Sequence, residues 1–93
     1  MVKIKAHIIL YENGRETPFY SGYRPLFNFI EEMKVSGRIN LIDSEQFSPG
    51  EEGEVEILFR NADYLGNDFD IGKTFHFGEG TVPLGDGVVK EIL

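Results

Sequence analysis

The sequence predicts an all-β domain, and two observations lead to this class. Several segments alternate apolar and polar residues with a period of two, which is the pattern of a strand with one buried face. No stretch spaces apolar residues as an amphipathic helix does over three turns, and most glycines fall between the alternating segments. We therefore expect an antiparallel closed barrel or a sandwich.

Roughly six strands are predicted along the chain. The first turns four apolar side chains to one face: Ile4, Ala6, Ile8 and Leu10. Residues 33–42 are expected to contain one strand that runs through Gly37. Turns are predicted at 12–15, where Asn-Gly would supply a positive φ, and at 48–50, which read Ser-Pro-Gly. The expected strands lie within residues 3–10, 26–32, 33–42, 54–60, 75–77 and 82–92.

The length and composition are those of a single folded domain that covers residues 1–93. The absence of cysteine excludes disulfides, thiolate metal ligands and a cysteine nucleophile. Residues 1–10 interleave lysines with apolar residues, and no apolar run approaches the ~20 residues that span a bilayer. We therefore expect a soluble, cytoplasmic protein without a membrane partner.

The charge balance bears on the class of partner. Sixteen acidic residues outnumber nine basic ones, and the formal net charge is -7. Binding to a phosphate backbone depends on lysine and arginine side chains that displace condensed counterions. This balance disfavours nucleic acid and anionic membranes, although a local basic patch is compatible with it.

The loop at residues 66–74, GNDFDIGKT, superficially resembles a phosphate-binding P-loop. A P-loop needs four residues between its two glycines and a helix after the Lys-Ser/Thr pair. Here five residues intervene, two of them are aspartates, and residues 75–77 are predicted to form a strand. An acidic hairpin loop is therefore the favoured interpretation, and we expect no nucleotide site.

Other residues that could support chemistry are also better explained structurally. Asp63, Asp68 and Asp70 lie in one loop but lack the spacing of a calcium-binding loop, so we favour a solvated acidic loop. His7 and His76 each lie in an alternating strand on the face opposite the core residues. With no nucleophile motif or metal-ligand spacing present, we expect neither an enzyme nor a bound metal.

A long motif in the first third of the chain resembles a known family. Residues 13–25 read NGRETPFYSGYRP, and shorter matches follow it. These are alternating Phe27 and Phe29, VSG at 35–37, SPG at 48–50 and GDGVVKEIL at 85–93. Together they resemble the C-terminal β-barrel, domain 3, of bacterial translation elongation factor Tu, over nearly the whole chain. The resemblance implies a six-stranded antiparallel closed barrel of Greek-key type.

The resemblance also implies a set of partners. In the elongation factor, domain 3 packs against the GTPase domain and the middle barrel, touches the T stem of aminoacyl-tRNA and meets the nucleotide-exchange factor. The 93 residues contain no GTPase domain, so we expect neither GTP nor any other cofactor.

Departures from the family pattern weaken the implied contact with RNA. Glu16 stands where the family usually has histidine, and Ser21 stands where it usually has lysine. Residues 78–82 read GEGTV in place of a segment with two arginines. Arg15 and Arg24 are retained, so only part of the basic surface is present.

We therefore expect a stand-alone, non-catalytic barrel that binds a protein partner. The candidate binding residues are Arg15, Tyr20, Tyr23 and Arg24, which lie in or beside the aromatic stretch at residues 17–29. Two alternatives remain open: a tRNA- or RNA-binding accessory of translation, and a diverged remnant that has no partner left.

Overall fold

The computed structural model describes residues 1–93, and all of its regular secondary structure is β-strand, which confirms the all-β class. It contains no helix with the length and apolar character needed to cross a membrane. The strands are β1 (Val2–Leu10), β2 (Phe19–Tyr20), β3 (Leu26–Ile30), β4 (Met33–Ser36), β5 (Arg38–Leu41), β6 (Gln46–Phe47), β7 (Glu52–Phe59), β8 (Thr74–Gly78) and β9 (Pro83–Ile92).

Seven strands form one antiparallel sheet in the order β4-β3-β8-β9-β1-β7-β5. The long strand β1 lies between β9 and β7 and pairs with β7 from Val2 opposite Phe59 to Ile9 opposite Glu52. Strands β2 and β6 form a separate two-stranded sheet. Chain segments far apart in sequence therefore meet across most of the sheet.

Residues 33–41 form two strands instead of the single strand predicted, because the chain changes partner at Gly37. Strand β4 pairs with β3, whereas β5 pairs with β7. A Cβ atom at Gly37 would lie 2.6 Å from Cε1 of Phe59 and 2.8 Å from Cε1 of Phe27. These distances are far below van der Waals contact, so the bend requires a residue without a side chain.

The predicted closed, six-stranded barrel is therefore wrong in strand number and in closure. The main sheet has seven strands, and its two edge strands, β4 and β5, are not hydrogen-bonded to each other. Only Gly37 separates them in the chain. A hairpin needs a loop of about two residues, so these two strands cannot pair with each other as a hairpin. The sheet thus curves until its edge strands are joined at one residue. Backbone pairing continues on both sides of this residue, because the N–H of Gly37 donates to the carbonyl of Pro25 at 3.3 Å and Ile39 pairs with Tyr23.

The hydrophobic core lies on the inner face of the sheet, as the alternation predicted. The inward residues of β1 and β7 are buried, and no buried side-chain nitrogen or oxygen lacks a partner. Phenylalanine rings fill the centre around Phe27. Their centroids lie 5.2 Å (Phe59), 5.7 Å (Phe75), 5.8 Å (Phe77) and 6.4 Å (Phe29) from that of Phe27.

The two predicted turns are present, but one has a different backbone. At residues 48–50, Gly50 has a φ of 89° as expected. At residues 12–15, the N–H of Gly14 donates to the carbonyl of Tyr11 at 3.3 Å, and neither Asn13 nor Gly14 has a positive φ. Glycine thus occupies the last position of this turn, where type I turns favour it, so the predicted positive φ is wrong.

Candidate functional site

The side chains of two of the four predicted binding residues contact each other, and those of the other two take no part in this contact. The Cζ atom of Arg15 lies 4.8 Å from the centre of the Tyr23 ring. Tyr20 and Arg24 are exposed to solvent. The stretch from Arg15 to Arg24 is therefore divided between an internal cluster and a free surface.

Glu79 holds the internal cluster together through one carboxylate oxygen. Its Oε2 accepts a hydrogen bond from the hydroxyl of Tyr23 and pairs with the guanidinium of Arg15. The Nε of Arg15 also donates to the carbonyl of Thr17 at 2.9 Å. We call Arg15, Tyr23 and Glu79 the anchor cluster. Its charges are largely satisfied within the chain, which fits a positioning role better than partner binding.

Aromatic stacking connects the anchor cluster to the core. The rings of Tyr23 and Phe19 stack with centroids 4.5 Å apart, and Phe19 stacks on Phe47 at 5.3 Å. Each aromatic pair is worth about 0.5–1.5 kcal/mol beyond the burial of its area. From the surface inward, the guanidinium of Arg15, the ring of Tyr23 and the ring of Phe19 lie one on another. This packing restricts the movement of the Tyr23 side chain.

The pKa of Tyr23 is held well above its usual value. Burial of the ring is the largest cause, and the hydrogen bond to Glu79 and its negative charge act in the same direction, whereas Arg15 opposes them. Because the folded-state pKa is raised, this phenol stabilises the fold at all pH values below the unfolded pKa of about 10. That contribution is lost as the pH rises further.

Replacing Glu79 with glutamine should lower the pKa of Tyr23 and reduce the free energy of unfolding by about 1 kcal/mol at neutral pH. The change removes the negative charge that disfavours tyrosinate and breaks the ion pair with Arg15. Tyrosinate absorbance followed against pH measures the first effect, and urea unfolding measures the second. Glu16→Gln is the matched control, since Glu16 is exposed and makes no ion pair. An unchanged Tyr23 titration would contradict the proposed contact.

Sequence reasoning missed Glu79, which lies in a stretch interpreted only as a turn. Nothing in the neighbouring residues distinguishes it from the other acidic side chains of this chain. It reaches Tyr23 because β8 pairs with β3, which begins three residues after Tyr23. Only the strand pairing could identify this residue.

Tyr20 and Arg24 flank a turn whose backbone is held firmly. Gly22 has a φ of +100°, a conformation that glycine adopts without strain. Hydrogen bonds run within the turn and to β5: Tyr23 N to Tyr20 O at 3.2 Å, Gly22 N to Ile39 O at 2.8 Å, Ile39 N to Tyr23 O at 2.8 Å, and Leu41 N to Ser21 Oγ at 2.8 Å. We call residues 20–24 the presenting turn, because it fixes the positions of two exposed side chains.

The loop at residues 66–74 is not the hairpin loop that the sequence predicted, because it lies in the connection from β7 to β8 and these strands are not neighbours in the sheet. The Nζ of Lys73 donates to Asp68 at 2.6 Å, and this hydrogen bond is the main reason that the pKa of Asp68 is lowered. Strand β8 follows directly, as predicted. The lysine that a P-loop would direct at phosphate is thus engaged by a carboxylate of its own loop.

Both histidines lie on the outer face of the sheet, as predicted. The Nε2 of His7 lies 3.0 Å from Oε1 of Glu52, which belongs to the neighbouring strand β7. His76 is exposed in β8 and is placed opposite Asn28 of β3. Neither ring belongs to the anchor cluster or the presenting turn.

The fold and these contacts define a class: an all-β module that carries a satisfied Arg-Tyr-Glu cluster beside a fixed turn with exposed tyrosine and arginine. No family model matches the chain.

Proposed function

We propose that this protein is a non-catalytic binding module that recognises a protein partner through the presenting turn. The observation that carries the proposal is that Tyr20, which is 59% exposed, and Arg24 extend from a backbone held by several hydrogen bonds. Tyrosine and arginine are enriched among the residues that dominate binding energy in interfaces. A surface that is already ordered also loses less conformational entropy on binding.

The proposal includes a relationship to domain 3 of elongation factor Tu, with an origin in bacterial translation and a cytoplasmic location. Its support is the antiparallel all-β sheet whose edges meet at Gly37, an arrangement that a Greek-key barrel with one bent strand would produce. In this proposal the anchor cluster seats the aromatic stretch on the core. The presenting turn then contacts the protein partner, as domain 3 of the elongation factor contacts its neighbouring domains and the exchange factor.

Replacing Tyr20 with alanine should weaken partner binding by about tenfold or more without changing the fold, because an exposed anchor contributes to the interface and little to the core. The measurement is capture of partners from lysate at physiological salt, followed by titration of the captured protein. Arg24→Ala should act in the same direction. Ile71→Ala is the matched control, since Ile71 is a 63% exposed apolar residue in the connection between β7 and β8.

Two results would contradict this proposal. Unfolding of the Arg24→Ala variant, measured by circular dichroism, would show that the arginine is structural. Recovery of no stoichiometric partner at high protein concentration would favour the alternative of a diverged remnant.

The alternative of a tRNA- or RNA-binding accessory has one observation in its favour. Arg24, Lys34 and Arg60 line the same cleft, and none of them pairs with a carboxylate. This alternative predicts a fluorescence-anisotropy response to aminoacyl-tRNA that weakens as salt increases. The net charge of -7 makes it the less favoured of the two functions.

A further inference from the structure

A cleft of about 270 Å³ lies between β4 and the end of β7. It is close to the lower size limit of pockets that hold small ligands. Its walls combine cationic, polar and apolar side chains. The lining residues are Arg24, Lys34, Val35, Ser36, Leu58, Arg60, Asn61 and Tyr64.

The charge of this cleft is opposite to that of the whole protein. No aspartate or glutamate lines it, although the chain contains sixteen acidic residues. Arg38 adds a further cation nearby, because it is exposed and pairs across the ladder with Leu58 of the cleft wall. Cations gathered without counter-charges repel one another, and a bound anion relieves that repulsion.

Most cations outside the cleft are compensated by carboxylates, whereas none of the three that line it is. Lys3, Lys5, Arg15 and Lys73 each lie within 4.0 Å of a carboxylate oxygen. Lys34 donates to the carbonyl of Gly80, a neutral group that does not line the cleft, so the lysine keeps its charge but its ammonium has to turn to reach an anion in the cleft. The basic character of this site is therefore local and available to a ligand.

Neutral groups of the cleft complete a site for an oxyanion. Ser36 supplies a hydroxyl donor. The Oδ1 of Asn61 accepts from the N–H of Asp63 at 2.9 Å, which leaves the amide nitrogen of Asn61 as a donor without a partner in the chain. Leu58 and the 40% exposed ring of Tyr64 add an apolar wall.

We propose that this cleft binds the phosphate group of a small phosphate monoester, with Arg24, Lys34 and Arg60 on the anion. A guanidinium matches the geometry of phosphate oxygens in bidentate hydrogen bonds, and charge-assisted bonds of this kind are the strong ones. The organic part packs on Leu58 and Tyr64. A single compact cleft on an otherwise acidic surface suits a small ligand better than the extended backbone of RNA.

The site is independent of the proposed protein partner, apart from Arg24, which belongs to both surfaces. Arg60 is therefore the residue to replace, because it lines the cleft and lies outside the presenting turn. Lys90→Ala is the matched control, since Lys90 is an exposed cation without an ion pair in β9, away from the cleft.

The test is a titration followed by amide NMR shifts, with ionic strength held constant. The probes are inorganic phosphate, a nucleoside monophosphate, the matching nucleoside and sodium chloride. We expect saturable shifts around the cleft with both phosphates and none with nucleoside or chloride. Arg60→Ala should weaken the binding of both phosphate ligands by about tenfold or more, the effect expected when one charge-assisted contact is lost. Lys90→Ala should leave their affinities unchanged. Tyr64→Ala should weaken only the monoester.

Several outcomes decide the proposal. Equal affinity for inorganic phosphate and the monoester would support the anion site and assign it to free phosphate. If sodium chloride produced the same shifts, or if the Arg60→Ala and Lys90→Ala variants lost equal affinity, the effect would be general charge screening and the proposal would be overturned. Tight binding of a single-stranded RNA with a salt slope above about 2, which corresponds to three or more phosphates, would overturn it in favour of RNA.

Discussion

Replacing Phe27 with alanine should lower the free energy of unfolding by about 3–5 kcal/mol. Phe27 is completely buried, and its ring is surrounded by other phenylalanines, the nearest of which is Phe59 at 5.2 Å between centroids. Alanine would leave a cavity that these rings can fill only in part, because their own contacts on other strands hold them in place. The loss combines the transfer of apolar area with the cost of that cavity.

Urea unfolding followed by circular dichroism measures this change, with Val82→Ala as the control. Val82 is 70% exposed, so its truncation should alter the free energy of unfolding by less than about 0.5 kcal/mol. A loss below about 1 kcal/mol for Phe27→Ala would show that the core collapses around the cavity.

Replacing Gly85 with alanine should lower the free energy of unfolding by about 3 kcal/mol or more, at the upper end of the range for overpacked cores. A Cβ atom there would lie 2.3 Å from the carbonyl oxygen of Ile9 and 2.4 Å from Cζ of Phe77. The first of these atoms belongs to the backbone of β1, which pairs with β9 at this position. Relief of the clash therefore requires the two central strands to separate, and a change of side-chain rotamer cannot provide it.

Gly80→Ala is the matched control for this substitution. A Cβ atom at Gly80 would meet no atom within 4 Å, and the backbone there does not have a positive φ. We expect Gly80→Ala to change the free energy of unfolding by less than about 1 kcal/mol. If both variants unfolded at the same urea concentration, the close approach of β9 to β1 would not be a constraint on the sequence.

Much of the fold could be predicted because a strand is indicated by the local alternation of apolar and polar residues. The inward residues of β1 and β7 were identified correctly, since a period of two assigns each side chain to a face without reference to the partner strand. The bend at Gly37 could not be predicted in the same way. Its cause is the pair of rings at Phe27 and Phe59, which reach it from other strands.

The candidate site was predicted in part for the same reason. Arg15, Tyr20, Tyr23 and Arg24 stand out because aromatic and basic residues are concentrated in one short segment. Their division into an anchor cluster and a presenting turn depends on Glu79 and on β5, which are distant in sequence. The cleft was not foreseen, because its cations come from three separate segments.

The sequence by itself determined the β class, the inner and outer faces of the strands, and the acidic character of the chain. These properties depend on composition and on the spacing of neighbouring residues. Only the tertiary structure decided where the chain changes partner strand, which carboxylate accepts from Tyr23 and which cations remain unpaired around the cleft. Those outcomes follow from strand pairing, which brings together residues whose proximity no local pattern encodes.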